Sequence, residues 1–429
     1  MKNLFKIIKD LKIGATSIGI IGAGFIGTTT AMCYAHEGVK VRIYDIDPKK
    51  IERYKAGECD VCGLEQWSGM SLQTYVSSGM ITPTNDWKDM EPLHIFFVAV
   101  PTEKGGEPYI NYVRDVLKMV MMAGPVLLVI ESTLSPKWIK ELDLMDYPVC
   151  VAIRRDWFAN PLYTLKALPR IYCASSPLLN KLSKKLLGIV SDKLLLASSM
   201  ETASLVKAVE NALWHVQLVA VQELALAYDM DMDEVLALVS THPMRQRFYP
   251  NVKIGGYCVP LGSKYVRESA DHPERLAIFL DALEDNESSP AMVTMNILDR
   301  LKHKTVGVLG ITYKNDLKVH TLSPGMAILD ILKLTGKKIL VHDSFYSKDE
   351  IKKITGCDYL DYPGDLSDCD LVIITIDHKE YYETPYMELK RVIKPETDIF
   401  DNLGVWKRHA KFLGERYKRF GVKWRRDGA

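Results

Sequence analysis

Three groups of residues in this 429-residue chain have types and spacings suited to chemistry. The first is Cys258 within "KIGGYCVPLGSKYV" (253–266), directly after Gly255, Gly256 and Tyr257 and two residues before a proline. Paired glycines let a backbone approach a ligand, or turn where other residues cannot. A cysteine set there is either a small buried apolar residue or a nucleophile. A thiolate is a strong nucleophile and a good leaving group, and a neighbouring cation favours it. The second group is Gly22, Gly24 and Gly27 in "GIIGAGFIG". In a dinucleotide-binding turn the first glycine permits the tight turn, the second lets the backbone reach a pyrophosphate, and the third lets helix pack on strand. The helix N terminus then offers its N–H groups to the phosphates. Asp45 lies about 20 residues on, where a carboxylate can accept both ribose hydroxyls and repel a 2′-phosphate, so NAD is expected rather than NADP. The third group is Lys207, Asn211 and His215, spaced by four and so on one face of a helix. An ordinary solvated stripe has the same spacing.

These groups need elements to hold them. "SIGIIGAGFIGTTTAMCYAHEG" reads as a strand over Ile18 to Ile21, a glycine turn and a helix, and "VKVRIYDID" as a second strand ending at Asp45. Further strands are expected at 93–102, 124–133 and 148–153, each with an apolar body and a polar C-terminal end. Ligands of open α/β sheets bind at those ends, which places Thr102 and Thr133 to reach one. The same order returns at 304–314, 337–344, 370–378 and 396–402, so a second open parallel sheet is expected. There Gly310 is followed by Ile311 and Thr312, so the second glycine is missing; this half either binds a nucleotide differently or only packs. Residues 200–240 have helical periodicity with no proline or glycine, which predicts a helix through about residue 228, long enough to bridge domains or form a dimer core. The fold class is α/β: two Rossmann-like open parallel-sheet domains joined by a central helical segment, with boundaries at 1–199, 200–300 and 301–429.

Composition excludes several function classes. A net charge of +1 lacks the basic footprint of a nucleic-acid binder. No run of about 18 apolar residues exists, so no membrane span is expected. The N terminus is too broken by lysine and aspartate for a signal peptide and reads as a short amphipathic helix. The basic C-terminal stretch "KRHAKFLGERYKRFGVKWRRDGA" reads as a solvated terminal helix rather than an anion-binding tail. Of eight cysteines, only Cys59 and Cys62 form a CxxC, and no second pair completes a structural zinc site, so no metal is expected. Sparse cysteines point to a reducing cytoplasm.

The order of landmarks is more specific than any one of them. It runs GxGxxG, the "VPT" and "ST" strand ends, "LPRI", "KxxxN", "GGYCVP", then "GVLGITYK" and "SP". From about Ser17 to about Trp406 the chain resembles the nucleotide-sugar 6-dehydrogenase family, which includes UDP-glucose, UDP-N-acetylmannosamine and GDP-mannose dehydrogenases. The resemblance implies an NAD domain and a nucleotide-sugar domain flanking a helical dimerisation segment, and hence a homodimer. It implies oxidation of a sugar C6 alcohol to a carboxylate with two NAD, a UDP-sugar being favoured. By the same resemblance Cys258 traps the intermediate aldehyde as a thiohemiacetal, which is oxidised to a thioester and cleaved by water. Lys207 matches the lysine that stabilises the oxyanion and Asn211 its hydrogen-bonding partner. Thr133 matches a threonine that positions water or cofactor, and Asp156 a catalytic carboxylate. Phe25, Ile26, Lys50, Pro101 and Thr102 join the glycines and Asp45 as cofactor contacts. Tyr249, Gly255, Gly256 and Lys314 join Lys207 and Asn211 as nucleotide-sugar contacts.

The departures from that pattern cluster where acid–base work and substrate contacts belong. The family carries an aspartate four residues after the cysteine, where this chain has Gly262 followed by Ser263. Of two family glutamates in "RRDWFAN" (154–160), the first is Asp156 and the second Asn160. Lys253 replaces a glycine, Thr321 an arginine, and Arg154 and Arg155 add positive charge near the expected site. Three readings follow: a nucleotide-sugar 6-dehydrogenase with altered water activation or substrate; a diverged dehydrogenase performing one two-electron step or using another nucleotide-linked alcohol; and a non-catalytic NAD-binding subunit.

Overall fold

Runs of apolar residues such as "IGII", "IFFV" and "LLVI" are buried along their whole length, as strands of a parallel sheet covered on both faces are. The structure is a computed structural model and describes residues 2–59, 71–155, 165–256, 258–299 and 301–422. The chain divides into two compact units: Met1–Glu210 with Glu268–Asp271, and Asn211–Arg267 with His272–Ala429.

In the first unit the strands are β1 (Ile18–Ile21), β2 (Val41–Tyr44), β3 (Ile81–Thr84), β4 (Ile95–Val98), β5 (Leu127–Ile130), β6 (Val149–Val151), β7 (Arg170–Ala174) and β8 (Leu194–Leu196). They form one eight-stranded sheet in the order β8-β7-β6-β5-β4-β1-β2-β3. All pairs are parallel except β6 with β7. The strand order reverses between β1 and β4, and a crevice at such a switch point is where open α/β sheets take ligands. The N-terminal helix Lys2–Lys12 buries Ile8 and Leu11, as its amphipathic pattern predicts.

In the second unit the sheet has six strands: β9 (Thr305–Leu309), β10 (Lys338–His342), β11 (Asp358–Tyr359), β12 (Leu371–Ile374), β13 (Asp398–Asp401) and β14 (Tyr417–Arg419). Their order is β11-β10-β9-β12-β13-β14, all parallel. The last strand corrects the expectation of a solvated terminal helix. Among the described residues of that stretch Ala410–Leu413 is the one α-helical piece, with single 3-10 turns at Lys407–His409 and Gly414–Arg416, and Tyr417–Arg419 then pairs with β13 while Phe420 is buried. Basic residues mask so short a strand in the sequence because their heads reach water while their stems cover apolar surface.

The middle of the chain is helical. The helix Met200–Ala227 runs 28 residues, followed by Met232–Val239, Val259–Ser269 and Ala277–Ile297. The long helix begins in the first unit and ends in the second.

Candidate active site

In the first unit the glycine turn joins β1 to the helix Phe25–His36. Gly22 sits at φ 102°, a backbone state that only glycine adopts easily. A Cβ on Gly27 would lie 1.8 Å from the Gly22 carbonyl oxygen, so nothing larger fits where helix and turn meet. A Cβ on Gly24 would meet nothing within 4 Å. Gly24 is exposed and is the helix N-cap with no side-chain capping bond, at the positive end of the helix. Asp45 Oδ2 accepts from Ala23 N at 2.9 Å and lies 3.3 Å from Lys50 Nζ, and Oδ1 accepts from Asp47 N at 3.0 Å. This turn, open over Gly24 and flanked by an anchored carboxylate, fits a dinucleotide. Phe25 and Ile26 are half-buried in the first helical turn, Pro101 is exposed, Thr102 buried and Thr133 half-buried at the ends of their strands.

The second unit repeats this geometry with a different loop. Gly310 sits at φ 99°, Ile311 N donates to Asp343 Oδ2 at 2.7 Å, and Phe345 N to Asp343 Oδ1 at 3.0 Å, as Ala23, Asp47 and Asp45 do in the first. Gly325 plays the part of Gly27: a Cβ on it would lie 2.2 Å from the Gly310 carbonyl oxygen. Five positions separate Gly22 from Gly27, but fifteen separate Gly310 from Gly325. Sequence reading missed Gly325 because the fingerprint was sought at fixed spacing. The side chain of Asp343 has no exposed surface, and His378 Nε2 lies 3.2 Å from its Oδ2. Burial pushes the Asp343 carboxyl up, but the bonds from His378 and the backbone outweigh it and hold it below its ordinary range. The Asp343 side chain is therefore closed to a ligand, whereas the Asp45 side chain, though mostly buried, keeps 11% of its surface exposed.

The inserted residues support the cysteine loop. Gly256 N donates to the Thr321 carbonyl at 3.2 Å. A Cβ on Gly255 would lie 2.7 Å from the Leu322 carbonyl oxygen, and one on Gly256 2.5 Å from the Tyr313 ring. Lys314 is half-buried in the same insertion. On the other side, Asn286 of the helix Ala277–Ile297 grips Ile254 twice, Oδ1 accepting from Ile254 N at 2.7 Å and Nδ2 donating to Ile254 O at 3.0 Å. Lys253 is buried and paired with Glu287 on that helix.

Cys258 is exposed and immediately precedes the helix Val259–Ser269. Its carbonyl accepts the first helical bond, from Gly262 N at 3.2 Å, and a second from Asn211 Nδ2 at 3.0 Å. One turn further along both helices, His215 Nδ1 and Ser263 Oγ lie 2.9 Å apart. Asn211 is 7% exposed and His215 fully buried, which rules out the solvated-stripe reading for both, while Lys207 is half-buried. Burial pushes the His215 imidazole down to about 4, so it is neutral at physiological pH. Tyr249 is exposed, with the Arg247 guanidinium over its ring.

Comparison with known proteins decides the lineage. Three domain models of the UDP-glucose/GDP-mannose dehydrogenase family match in succession: the NAD binding domain at 16–146, the central domain at 201–288 and the UDP binding domain at 307–408. The chain belongs to the UDP-glucose/GDP-mannose dehydrogenase family. Its cofactor is NAD. It is 24% identical over 390 residues to the UDP-N-acetyl-D-mannosamine dehydrogenase of Pyrococcus horikoshii, covering 85% of this chain and 90% of that protein. It is 22% identical to an NDP-N-acetyl-D-galactosaminuronic acid dehydrogenase of Ralstonia nicotianae, covering 93% and 98%. The solved UDP-D-ManNAc dehydrogenase of Pyrococcus horikoshii superposes with a TM-score of 0.84 at 22% identity, over 95% of this chain and all (100%) of that one. A UDP-glucose dehydrogenase from Pyrobaculum islandicum superposes with a TM-score of 0.81 at 21% identity, over 95% and 98%.

Within this dehydrogenase family the departures now have structural contexts. Gly262 lies against the long helix, where a Cβ would be 2.5 Å from Asn211 Cβ and 2.7 Å from Ala212 N. Arg154 does not charge the expected site: it is 3% exposed, 3.9 Å from Glu131 and bonded to Thr29 and Thr30. Arg155 is paired twice with Glu210, at 2.9 and 3.2 Å. Asp156, Asn160 and Tyr257 lie outside the described residues. Among the described residues no group of histidine, cysteine, aspartate and glutamate could hold a metal ion, and no helix is long and apolar enough to cross a membrane. Sequence reading missed Asn286 and Ser263 as supports of the loop. A polar residue every turn on a helix gives no sign of which one faces inward.

Proposed function

We propose that this chain oxidises the C6 alcohol of a UDP-linked hexose to the carboxylate in two NAD-dependent steps, with Cys258 as the covalent nucleophile. The observation that carries the reading is an exposed cysteine at a helix N terminus, its carbonyl held by Asn211, in a chain that also carries a complete dinucleotide turn. Bound NAD accepts one hydride in each step. The first oxidation takes a hydride from C6 and a proton from its hydroxyl, giving the aldehyde. The Cys258 thiolate adds to the aldehyde carbon, forming a C–S bond and an oxyanion. Loss of a second hydride turns this adduct into a thioester. Water then adds, the C–S bond breaks, and carboxylate, thiolate and two protons are released. A thiolate formed at Cys258 stands at the positive end of the helix it precedes, which favours the charged nucleophile.

Lys207 supplies positive charge to the oxyanion. Asn211 gives one amide hydrogen to the Cys258 carbonyl and keeps one for the oxyanion, so it positions the nucleophile as well. Thr133 and Asp156 are the remaining groups assigned to water. Asp45, Lys50, Phe25, Ile26, Pro101 and Thr102 hold the cofactor; Lys314, Tyr249, Gly255 and Gly256 hold the nucleotide sugar. The relatives' names favour a 2-acetamido sugar, with N-acetylmannosamine first, over glucose. Leu213, Trp214 and Leu224 of the long helix are apolar and more than a third exposed, which supports a homodimer through that helix. A reducing cytoplasm keeps the exposed thiol free.

The test is incubation with NAD and a panel of UDP-, GDP- and dTDP-sugars, followed by mass spectrometry. The proposal expects two NADH per uronic acid formed. One NADH per sugar with an aldehyde product would establish the two-electron reading, and binding without turnover the non-catalytic one.

A further inference from the structure

A buried imidazole grips the insertion between Gly310 and Gly325 on both sides of Lys314. His378 follows β12, has no exposed side-chain surface and packs against the rings of Phe345 and Tyr381, with centroids 5.0 and 5.5 Å away. Asp316 N donates to its Nδ1 at 3.0 Å, and Thr312 Oγ1 lies 3.0 Å from its Nε2. A backbone N–H can only donate, so Nδ1 is the bare nitrogen and Nε2 carries the proton. That proton faces two acceptors, the Thr312 hydroxyl and Asp343 Oδ2. Asp343 is fixed in turn by the N–H groups of Ile311, Thr312 and Phe345. One nitrogen thus orients the ring on the glycine turn, and the other holds the insertion.

Asp316 does not hold its conformation by its own preference. Its φ is 53°, a left-handed state costly for a residue with a Cβ. Such a state persists where the surroundings impose it. Here His378 accepts from the Asp316 N–H, and Asp316 Oδ1 accepts from Lys379 N at 3.2 Å. Lys314 therefore lies midway between two anchored residues, Thr312 and Asp316. The far end of the insertion has supports of its own. Ser323 Oγ donates to the Ile311 carbonyl, His320 Nδ1 lies 3.0 Å from the Tyr346 hydroxyl, and the Thr321 carbonyl accepts from Gly256 N. We propose that His378 is a positioning residue for the nucleotide sugar: it fixes the backbone around Lys314, so that the ammonium meets the diphosphate in one place. A lysine is a point charge on a flexible stem, and ordering its backbone in advance lowers the cost of binding. The inference rests on the reading of Lys314 as a nucleotide-sugar contact.

The experiment titrates UDP, as a probe for the diphosphate, into the full chain by calorimetry. The proteins are wild type, Lys314→Ala, His378→Leu, His378→Asn and the double variant of Lys314→Ala with His378→Leu. His378→Leu lacks both nitrogens and should raise the Kd for UDP about tenfold when Lys314 is present, but by less than about twofold when it is alanine, since the two act as one unit. A residue that only stabilised the fold would lower the binding-competent fraction in both backgrounds and leave Kd unchanged. His378→Asn sets an amide oxygen where Nδ1 stands, can accept from Asp316 N, and should bring Kd back to within about threefold of wild type. If His378→Leu fails to fold, Asp316→Ala carries the test. It changes an exposed residue, keeps the buried pair of His378 and Asp343, removes the bond to Lys379 and leaves alanine at φ 53°. It should weaken UDP in the same way, and again only where Lys314 is present. Equal weakening with and without Lys314, no recovery in His378→Asn, or an unchanged Kd in Asp316→Ala would overturn the inference while the functional reading stands. A wild type that binds no UDP would overturn both.

Discussion

Gly262 lies so close to Asn211 that a Cβ on it would sit 2.5 Å from the Asn211 Cβ, closer than packed atoms approach. The helix Val259–Ser269 crosses the long helix on this glycine, and the crossing fixes the Cys258 carbonyl on Asn211. A restored aspartate at 262 therefore does not simply supply a missing base. Gly262→Asp and Gly262→Ala should both destabilise the fold, by about 1–3 kcal/mol as overpacked sites do. Both should lower turnover through a displaced Cys258. Chemical denaturation measures the first effect and NADH release the second. A Gly262→Asp protein with wild-type stability and faster turnover would contradict the crossing as described.

His215 gives a dependence on pH. An unfolded histidine takes a proton near 6.5, whereas burial holds this one neutral until about pH 4. Between those values the unfolded chain binds more protons than the folded one, so stability falls as pH drops through the window and is unaffected above it. His215→Gln should lower stability at pH 7, because the bond with Ser263 is disturbed, yet flatten the slope between pH 6.5 and 4. Denaturant midpoints across that range measure it. An unchanged slope would show that other groups carry the acid sensitivity.

Much of this was legible in the sequence because the governing signals are local. Gly22, Gly24, Gly27 and Asp45 occupy one strand–turn–helix–strand unit, so their spacing is fixed by that unit. Gly325 was not legible because a ten-residue insertion, fifteen positions in place of five, separates it from Gly310. Its steric role survives while its spacing does not. The partners of Cys258 were harder still. Asn211 is 47 positions away and Asn286 holds Ile254 across 32, contacts that only helix packing creates. Arg154 reads in the sequence as added charge near the expected site because its partner Glu131 lies on a different strand end. Short strands such as Tyr417–Arg419 were lost to basic composition.

The cofactor turn makes a sharp prediction. A side chain at position 24 enters open space, so the fold should tolerate Gly24→Val with little change in Tm. The same side chain occupies the approach of a pyrophosphate to the helix N terminus, so NAD binding should be lost. In the wild type, Asp45 beside the ribose should disfavour a 2′-phosphate. Equal affinity for NAD and NADP by calorimetry would remove Asp45 from that role.

Lys207 is half-buried on the same helix as Asn211. If it stabilises the oxyanion, Lys207→Ala should reduce turnover by on the order of 10²–10³, the usual cost of an oxyanion donor, with little change in Tm. Lys318, on the surface and paired with Glu350, is a suitable comparison. A similar loss after Lys318→Ala would mean that turnover responds to charge in general rather than to position 207.

Cys258 carries the strictest test. It is exposed, and Asn211 holds it by its backbone carbonyl, which alanine keeps, so Cys258→Ala should fold. Removing the sulfur leaves the first hydride transfer possible but removes the thiohemiacetal on which the second depends. The variant should release little carboxylate, and Cys258→Ser should stall with aldehyde or an ester adduct. Gly262 sharpens the wild-type expectation. With no carboxylate at that position to activate water, thioester hydrolysis should be the slow step. Wild-type enzyme quenched during turnover with saturating NAD should then carry a sugar-nucleotide adduct on Cys258, visible by intact-protein mass and absent in Cys258→Ala. Full carboxylate production by Cys258→Ala, with two NADH per sugar, would show that this cysteine is not the nucleophile.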